Sequence, residues 1–251
     1  MPEKVRIVVQ RRDRADTRPY SQTFELDYKP QMNVISALQD IAASPVTVDG
    51  QRTSPVAWDC NCLEEVCGAC TMVINGRVRQ ACTALVDNLL KESPVIDLKP
   101  MSKFPVIRDL VVDRRKMFES LKKIRAWIPV DTFGDVGEGP VISPEVADMR
   151  YPLSRCMTCG CCMEVCPQFH DRSAFIGPAP IGQAVLFNLH PTGEMTASER
   201  LEALMGPGGI TDCGNAQNCV KACPKEVPLT QAIAITGRET TKLAIKRWLR
   251  R

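Results

Sequence analysis

The stretch Cys156–Met157–Thr158–Cys159–Gly160–Cys161–Cys162–Met163–Glu164–Val165–Cys166–Pro167 decides how the second half of the chain must fold. It reads C-x2-C-x2-C-x3-C-P, a ligand run of iron–sulfur proteins in which the fourth Cys leaves the first three and binds the other cluster of a pair. One such run therefore calls for a complement. The complement is Cys213–Gly214–Asn215–Ala216–Gln217–Asn218–Cys219–Val220–Lys221–Ala222–Cys223–Pro224, with spacing intact and Ala216 where the middle Cys belongs. A methyl group binds no iron. Crossing the fourth ligands gives one set from Cys156, Cys159, Cys162 and Cys223, which suits a 4Fe–4S cluster. The other set is Cys166, Cys213 and Cys219, which suits a 3Fe–4S cluster lacking its unsupported iron. Each distal Cys is followed by Pro, which fits a chain leaving in an extended or turn conformation.

A second kind of site precedes these runs. Cys62-x4-Cys67-x2-Cys70 has the spacing of a plant-type 2Fe–2S loop, and Cys82 supplies the distant fourth ligand. Gly68 lets the backbone turn tightly and aim N–H groups at the sulfides. Thr71–Arg79 reads as a hairpin around Asn75–Gly76, the dipeptide of tight turns, which carries Cys82 back to the loop. Of the thirteen cysteines, only Cys60 and Cys161 are left outside these sets. Both are expected as small buried thiols or neighbours of ligands.

Zinc modules favour paired C-x2-C units closed as four-coordinate sites, not three or four Cys at ligand spacing packed into eleven positions. A disulfide framework fits poorly with an odd Cys count in a long chain. The 251 residues hold two domains of ordinary size. A hydrophobic content of 44% with 24% charged residues is that of a folded protein. A net charge of +3 with only 5% aromatics speaks against nucleic acid as a partner. No apolar run approaches the roughly 20 residues that cross a bilayer. Met1–Arg6 lacks the apolar core of a signal peptide, and Arg11–Arg12 leads into Asp13, so a cytoplasmic-side location is expected.

In chain order, Val5–Gln10 and Gln22–Tyr28 read as strands, and Asn33 as the cap of a helix over Val34–Ala42. Val95–Leu98 reads as the closing strand, Phe104–Asp113 as the exit from the first domain, and Arg114–Ala126 as helical. Pro129–Pro144 is rich in Gly and Pro and reads as a linker. Helices follow at Ile181–Leu189 behind a Gly-Pro-Ala-Pro turn, at Ala197–Met205 after a Thr196 cap, and at Leu229–Trp248. The expected class is α+β: an N-terminal β-grasp domain of the plant-type ferredoxin kind (1–113), a connecting helix and linker (114–150), and an all-α, bacterial-ferredoxin-like domain (151–251). His170 and His190 have no nucleophile motif near them, and no G-x-G-x-x-G opens a nucleotide site. No catalytic residue is expected on this chain.

Trp58–Cys70, the hairpin ending at Cys82, Phe104–Asp113 and the two later runs, in this order, resemble the iron–sulfur subunit of succinate dehydrogenase and fumarate reductase (respiratory complex II) over nearly the whole chain. The resemblance implies a relay from the FAD of a flavoprotein subunit through 2Fe–2S, 4Fe–4S and 3Fe–4S clusters to quinone at a membrane anchor. The first domain would dock on the flavoprotein and the helical domain on the anchor, at the cytoplasmic face of the membrane. Some members carry Asp at the third 2Fe–2S ligand; here it is Cys70. Ubiquinone-reducing members carry a Trp shortly after the Pro matching Pro167 and a His after the Cys matching Cys213. Here the positions read Gln168–Asp171 and Gly214, so the usual ubiquinone contacts are missing, and the wording of Trp58–Cys70 resembles more the branch with a dihaem cytochrome b anchor and menaquinone. The alternatives are a fumarate reductase working in the opposite direction, or the iron–sulfur subunit of another flavoprotein oxidoreductase.

Overall fold

The computed structural model describes residues 3–128 and 140–250; the linker read at Pro129–Pro144 lies largely outside the described residues. In chain order the elements are β1 (Lys4–Arg11), β2 (Tyr20–Asp27), α1 (Val34–Ala43), β3 (Thr71–Ile74), β4 (Arg77–Gln80), α2 (Val86–Glu92), β5 (Val95–Lys99), β6 (Val106–Arg108) and β7 (Val111–Val112). After these come α3 (Arg115–Lys123), α4 (Pro144–Ser154), α5 (Cys161–Glu164), α6 (Pro178–Asn188), α7 (Pro191–Glu194), α8 (Ala197–Met205), α9 (Asn218–Lys221) and α10 (Leu229–Trp248). The chain divides into two compact units, one of residues 1–114 with 157–164, the other of 115–156 with 165–251.

In the first unit the sheet runs β2-β1-β5-β3-β4. Strand β1 alternates more cleanly than its β-branched sequence indicates: Val5, Ile7 and Val9 are all fully buried. Each such side chain contributes about 1.5–3 kcal/mol when taken wholly out of water. β1 is antiparallel to β2 and parallel to β5, with Ile7 opposite Ile96 and Val9 opposite Leu98. Strand β5, read from sequence as a closing strand, is thus the middle of the sheet. Helix α1 covers this core with Val34, Ile35, Leu38 and Ile41. Its cap is reciprocal: Ser36 N donates to Asn33 Oδ1 and Asn33 N donates to Ser36 Oγ, each at 2.9 Å. The β3–β4 turn places Asn75 at φ +49° and Gly76 at +74°, the paired left-handed residues of a two-residue hairpin.

A buried ion pair ties this sheet to the loop that leads into the first cysteine block. Arg11, at the end of β1, donates from Nε to Asp109 Oδ1 at 2.9 Å, and both side chains are fully buried. The same guanidinium donates to Gln22 Oε1 and to the carbonyl of Ser54. Asp109, in the β6–β7 turn, accepts from Arg12 N at 3.0 Å and from Ala57 N at 2.8 Å. Residues 54–57 are therefore fixed before the chain reaches Cys60.

The second unit is helical, and no strand occurs among its described residues. α10 packs on α6 and α8, and α4 packs on α6. A Cβ on Gly182 of α6 would stand 3.0 Å from Leu229 Cδ2, so a small residue sits where α6 meets the start of α10. The Gly-Pro-Ala-Pro segment read as a turn instead begins α6, because proline is tolerated in a first helical turn. Thr196 precedes α8 but makes no side-chain capping bond. Arg200 of α8 is fully buried and donates to the carbonyls of Arg125, Trp127 and Gly193 and to Asn188 Oδ1.

Removing one partner of a buried ion pair leaves the other charge uncompensated. Asp109→Ala is expected to cost about 3–5 kcal/mol. In thermal unfolding that lowers the Tm by roughly 10 °C or more for a unit of this size; a Tm within 2 °C of the parent, on the order of the smallest shifts such scans resolve, would contradict the anchoring role.

Candidate iron–sulfur sites

The segment from Cys60 to Cys70 has no regular structure, and its curvature comes from left-handed residues at Leu63 (φ +62°), Glu65 (+53°) and Gly68 (+69°). The curl turns N–H groups inward. Cys62 Sγ accepts from the N–H of Glu64 at 3.4 Å and of Val66 and Cys67 at 3.3 Å. Cys67 Sγ accepts from Cys62 N at 3.5 Å and Ala69 N at 3.4 Å. Donors converging on sulfur favour the thiolate, and those of Glu64, Val66 and Cys67 hold the Cys62 thiol down to about 7. Cys70 and Cys82 are buried. Burial and a hydrogen bond with Cys70 push the Cys82 thiol up to about 11. Cys82 is itself placed by the α1 cap, since Asn33 Nδ2 donates to its carbonyl at 2.9 Å. Cys62, Cys67, Cys70 and Cys82 are thus brought together, whereas Cys60, expected as a small buried thiol or a neighbour of ligands, is exposed and lies within electrostatic reach of Cys67 and Cys82. The physical reason is that Cys60 lies just before the curl, beside the exposed Asp59 and Asn61, where no backbone donor turns toward its sulfur.

Three cysteines of the later run also lie in the first unit. Cys159, Cys161 and Cys162 are buried, with Cys161 entirely so. Cys161 hydrogen-bonds Cys159, which holds the Cys159 thiol down to about 7 and pushes its own up. Gln80 Nε2 donates to Cys161 Sγ at 3.5 Å. Ser102 and Lys103 donate backbone N–H groups to Glu164, at 2.8 and 3.0 Å, and so pin the end of α5. Cys156 and Cys223 belong to the second unit and are half-buried, with Cys223 Sγ accepting from Val227 N at 3.4 Å.

The three-cysteine set lies wholly in the second unit. Cys166, Cys213 and Cys219 line one cavity, and Ala216 lines it with them; Cys223 does not. Asn215 (φ +51°) and Gln217 (+60°) curl the backbone around Ala216. Asn218 Nδ2 donates to Val165 O at 3.2 Å, which joins the two ligand-bearing turns. Lys116 fixes the chain after Cys166 by donating to the carbonyls of His170 and Ser173 while lying 4.6 Å from the centre of the Phe169 ring. Both histidines have local tasks: His170 Nδ1 accepts from Arg172 N, and His190 Nδ1 accepts from Thr192 N at the start of α7.

None of the thirteen cysteines is in a disulfide. Among the described residues no three His, Cys, Asp or Glu side chains converge tightly enough for a single metal ion. A cluster asks for a wider arrangement, because its thiolates bind different irons. The Cys62, Cys67, Cys70 and Cys82 set within the first unit and the Cys166, Cys213 and Cys219 set within the second are each gathered in a way that suits it.

Two families match this chain: a 2Fe-2S iron-sulfur cluster binding domain over residues 4–119, and a 4Fe-4S dicluster domain over residues 152–227. The chain is 57% identical over 242 residues to the succinate dehydrogenase iron-sulfur subunit of Bacillus subtilis, covering 96% of this chain and 94% of that one. The chain belongs to the iron–sulfur subunits of succinate dehydrogenase and fumarate reductase. A member of this family labelled as a fumarate reductase iron-sulfur subunit, from Wolinella succinogenes, is 31% identical over 227 residues, 90% of this chain and 91% of its own. A chain of the Mycobacterium smegmatis Sdh1 complex in its apo form shares the fold, with a TM-score of 0.80 at 22% identity over 95% of this chain and 96% of that one. Like its family, this subunit transfers electrons within an oxidoreductase and carries 2Fe–2S and 4Fe–4S domains.

Sequence reasoning missed Arg114, whose guanidinium donates to the carbonyls of Gly68 and Ala69. No spacing rule announces such a contact. The N–H fan on Cys62 yields the prediction here. Cys62→Ser should abolish or strongly distort the 2Fe–2S EPR signal while Cys60→Ser leaves it near parental intensity; the reverse pattern would make Cys60 the ligand.

Proposed function

We propose that the chain holds three clusters: 2Fe–2S on Cys62, Cys67, Cys70 and Cys82; 4Fe–4S on Cys156, Cys159, Cys162 and Cys223; and 3Fe–4S on Cys166, Cys213 and Cys219. The observation that carries this reading is the cavity where Ala216 stands among Cys166, Cys213 and Cys219 with no thiolate of its own. The 4Fe–4S set follows from the spacing of the two runs, whose distal cysteines exchange partners. When bound, the clusters supply one-electron relay sites between the FAD of a flavoprotein subunit and quinone at a membrane anchor. The residues of this chain hold the sulfurs, supply N–H donors to them, and bury most of them from water.

The first domain (1–113) docks on the flavoprotein, and the helical domain (151–251), joined through 114–150, docks on the anchor. Attachment in this reading is peripheral, at the cytoplasmic face; among the described residues no helix is long and apolar enough to cross a membrane. The absence of a Trp at Gln168–Asp171 and of a His at Gly214, where ubiquinone-reducing members carry them, and the wording of Trp58–Cys70 support a menaquinone-linked anchor carrying haem. Succinate oxidation is favoured by the 57% identity to a succinate dehydrogenase subunit over the 31% to a fumarate reductase subunit.

Supplying the missing thiolate tests the assignment. Ala216→Cys should convert the three-iron centre to a four-iron one, with loss of the oxidised 3Fe–4S EPR signal and gain of about one iron per chain. An unchanged 3Fe–4S signal in a fully assembled variant would contradict the pairing of the two runs.

A further inference from the structure

Arg114 follows β7 and lies half-buried in the first unit. It donates from Nη1 to the carbonyl of Gly68 at 2.7 Å and from Nη2 to that of Ala69 at 2.8 Å. These two residues separate Cys67 from Cys70, so the guanidinium grips the first cysteine loop between two of its sulfurs. In the same unit a Cβ at Gly68 would stand 2.7 Å from both Cα and Cβ of Cys159. The carbonyls held by Arg114 therefore sit where the loop of Cys62–Cys70 meets the loop of Cys159–Cys162. Thr71 closes this junction from another side, donating from Oγ1 to Gly68 O at 2.7 Å. Gln80 donates to Thr71 Oγ1 at 3.0 Å and to Cys161 Sγ at 3.5 Å. Cys70, Thr71, Gln80, Cys159 and Cys161 are all buried. A guanidinium keeps its charge in such surroundings.

We propose that Arg114 sets the reduction potentials of the 2Fe–2S and 4Fe–4S centres together, as one fixed cation at the junction of their ligand loops. This rests on the ligand sets proposed above. Each centre gains one electron, and so one negative charge, on reduction. A nearby cation that water screens little favours the reduced form of both. Arg114 is a positioning residue: it touches backbone carbonyls and acts through charge, with its planar fork keeping that charge in place.

The test is an EPR-monitored redox titration of membranes carrying the full chain in its assembled complex. Arg114→Gln should lower the reduction constants of both centres about tenfold, about 59 mV for one electron. Arg114→Lys, which restores a cation, should keep both within about threefold of the parent, about 28 mV on the same scale. Unshifted midpoints in Arg114→Gln with both signals present overturn the proposal. So does Arg114→Lys shifting as far as Arg114→Gln. Should Arg114→Gln fail to retain either centre, Arg114→Lys decides: parental iron content with parental midpoints upholds the charge argument, and loss of the centres there makes Arg114 a scaffold alone. Absence of the two signals from the parent itself would instead overturn the ligand sets.

Discussion

Gly68 has no side chain because the backbone of Cys159 occupies the place where one would go. A Cβ at 2.7 Å from two carbon atoms cannot be accommodated without moving one loop, and Gly68 also holds a φ of +69° that side chains rarely adopt. Much of the first unit is arranged to keep this contact. The sheet supplies Thr71 and Gln80 from β3 and β4, the α1 cap supplies the bond to the Cys82 carbonyl, and Arg11 with Asp109 fixes the approach at Ala57. These bonds join residues up to 98 positions apart, so the loop geometry is a tertiary property, not a local one.

Thiolates in a poorly hydrated interior need compensation, and the chain supplies it in two ways. Around Cys62 and Cys67 the backbone turns its own N–H groups inward, which costs the folded state several left-handed residues. Around Cys70 and Cys159 burial is deeper, and a guanidinium stands nearby. In the second unit Ala216 occupies a position that the spacing reserves for sulfur, and it lines one cavity with Cys166, Cys213 and Cys219.

The cysteine sets were the most legible feature of the sequence, because cluster geometry forces short, repeated intervals that few other functions demand. The Asn75–Gly76 turn, the Asn33 cap and the span of α10 were legible for the same local reason. What escaped were features decided at long range. β5 reads as a closing strand but lies mid-sheet, since its parallel partner β1 is far away in sequence. Helices α2 and α4 are short or contain an internal Pro152, and neither shows a strong apolar periodicity. Cys60 is left over by the ligand spacing as a buried thiol or a neighbour of ligands, and only the fold shows its side chain exposed. Arg11, Asp109 and Arg114 look like ordinary surface charges until the fold encloses them.

Family membership makes this chain an electron-transfer subunit with 2Fe–2S and 4Fe–4S domains, and we propose that its sulfurs divide into three separate centres. Quantifying non-haem iron, acid-labile sulfide and zinc per chain in the anaerobically purified complex, with haem iron determined separately and subtracted, tests this division most directly. Clusters of two, four and three irons predict about nine irons and about ten sulfides, with no zinc. Zinc without sulfide, or about ten irons in the unaltered chain, would contradict the account.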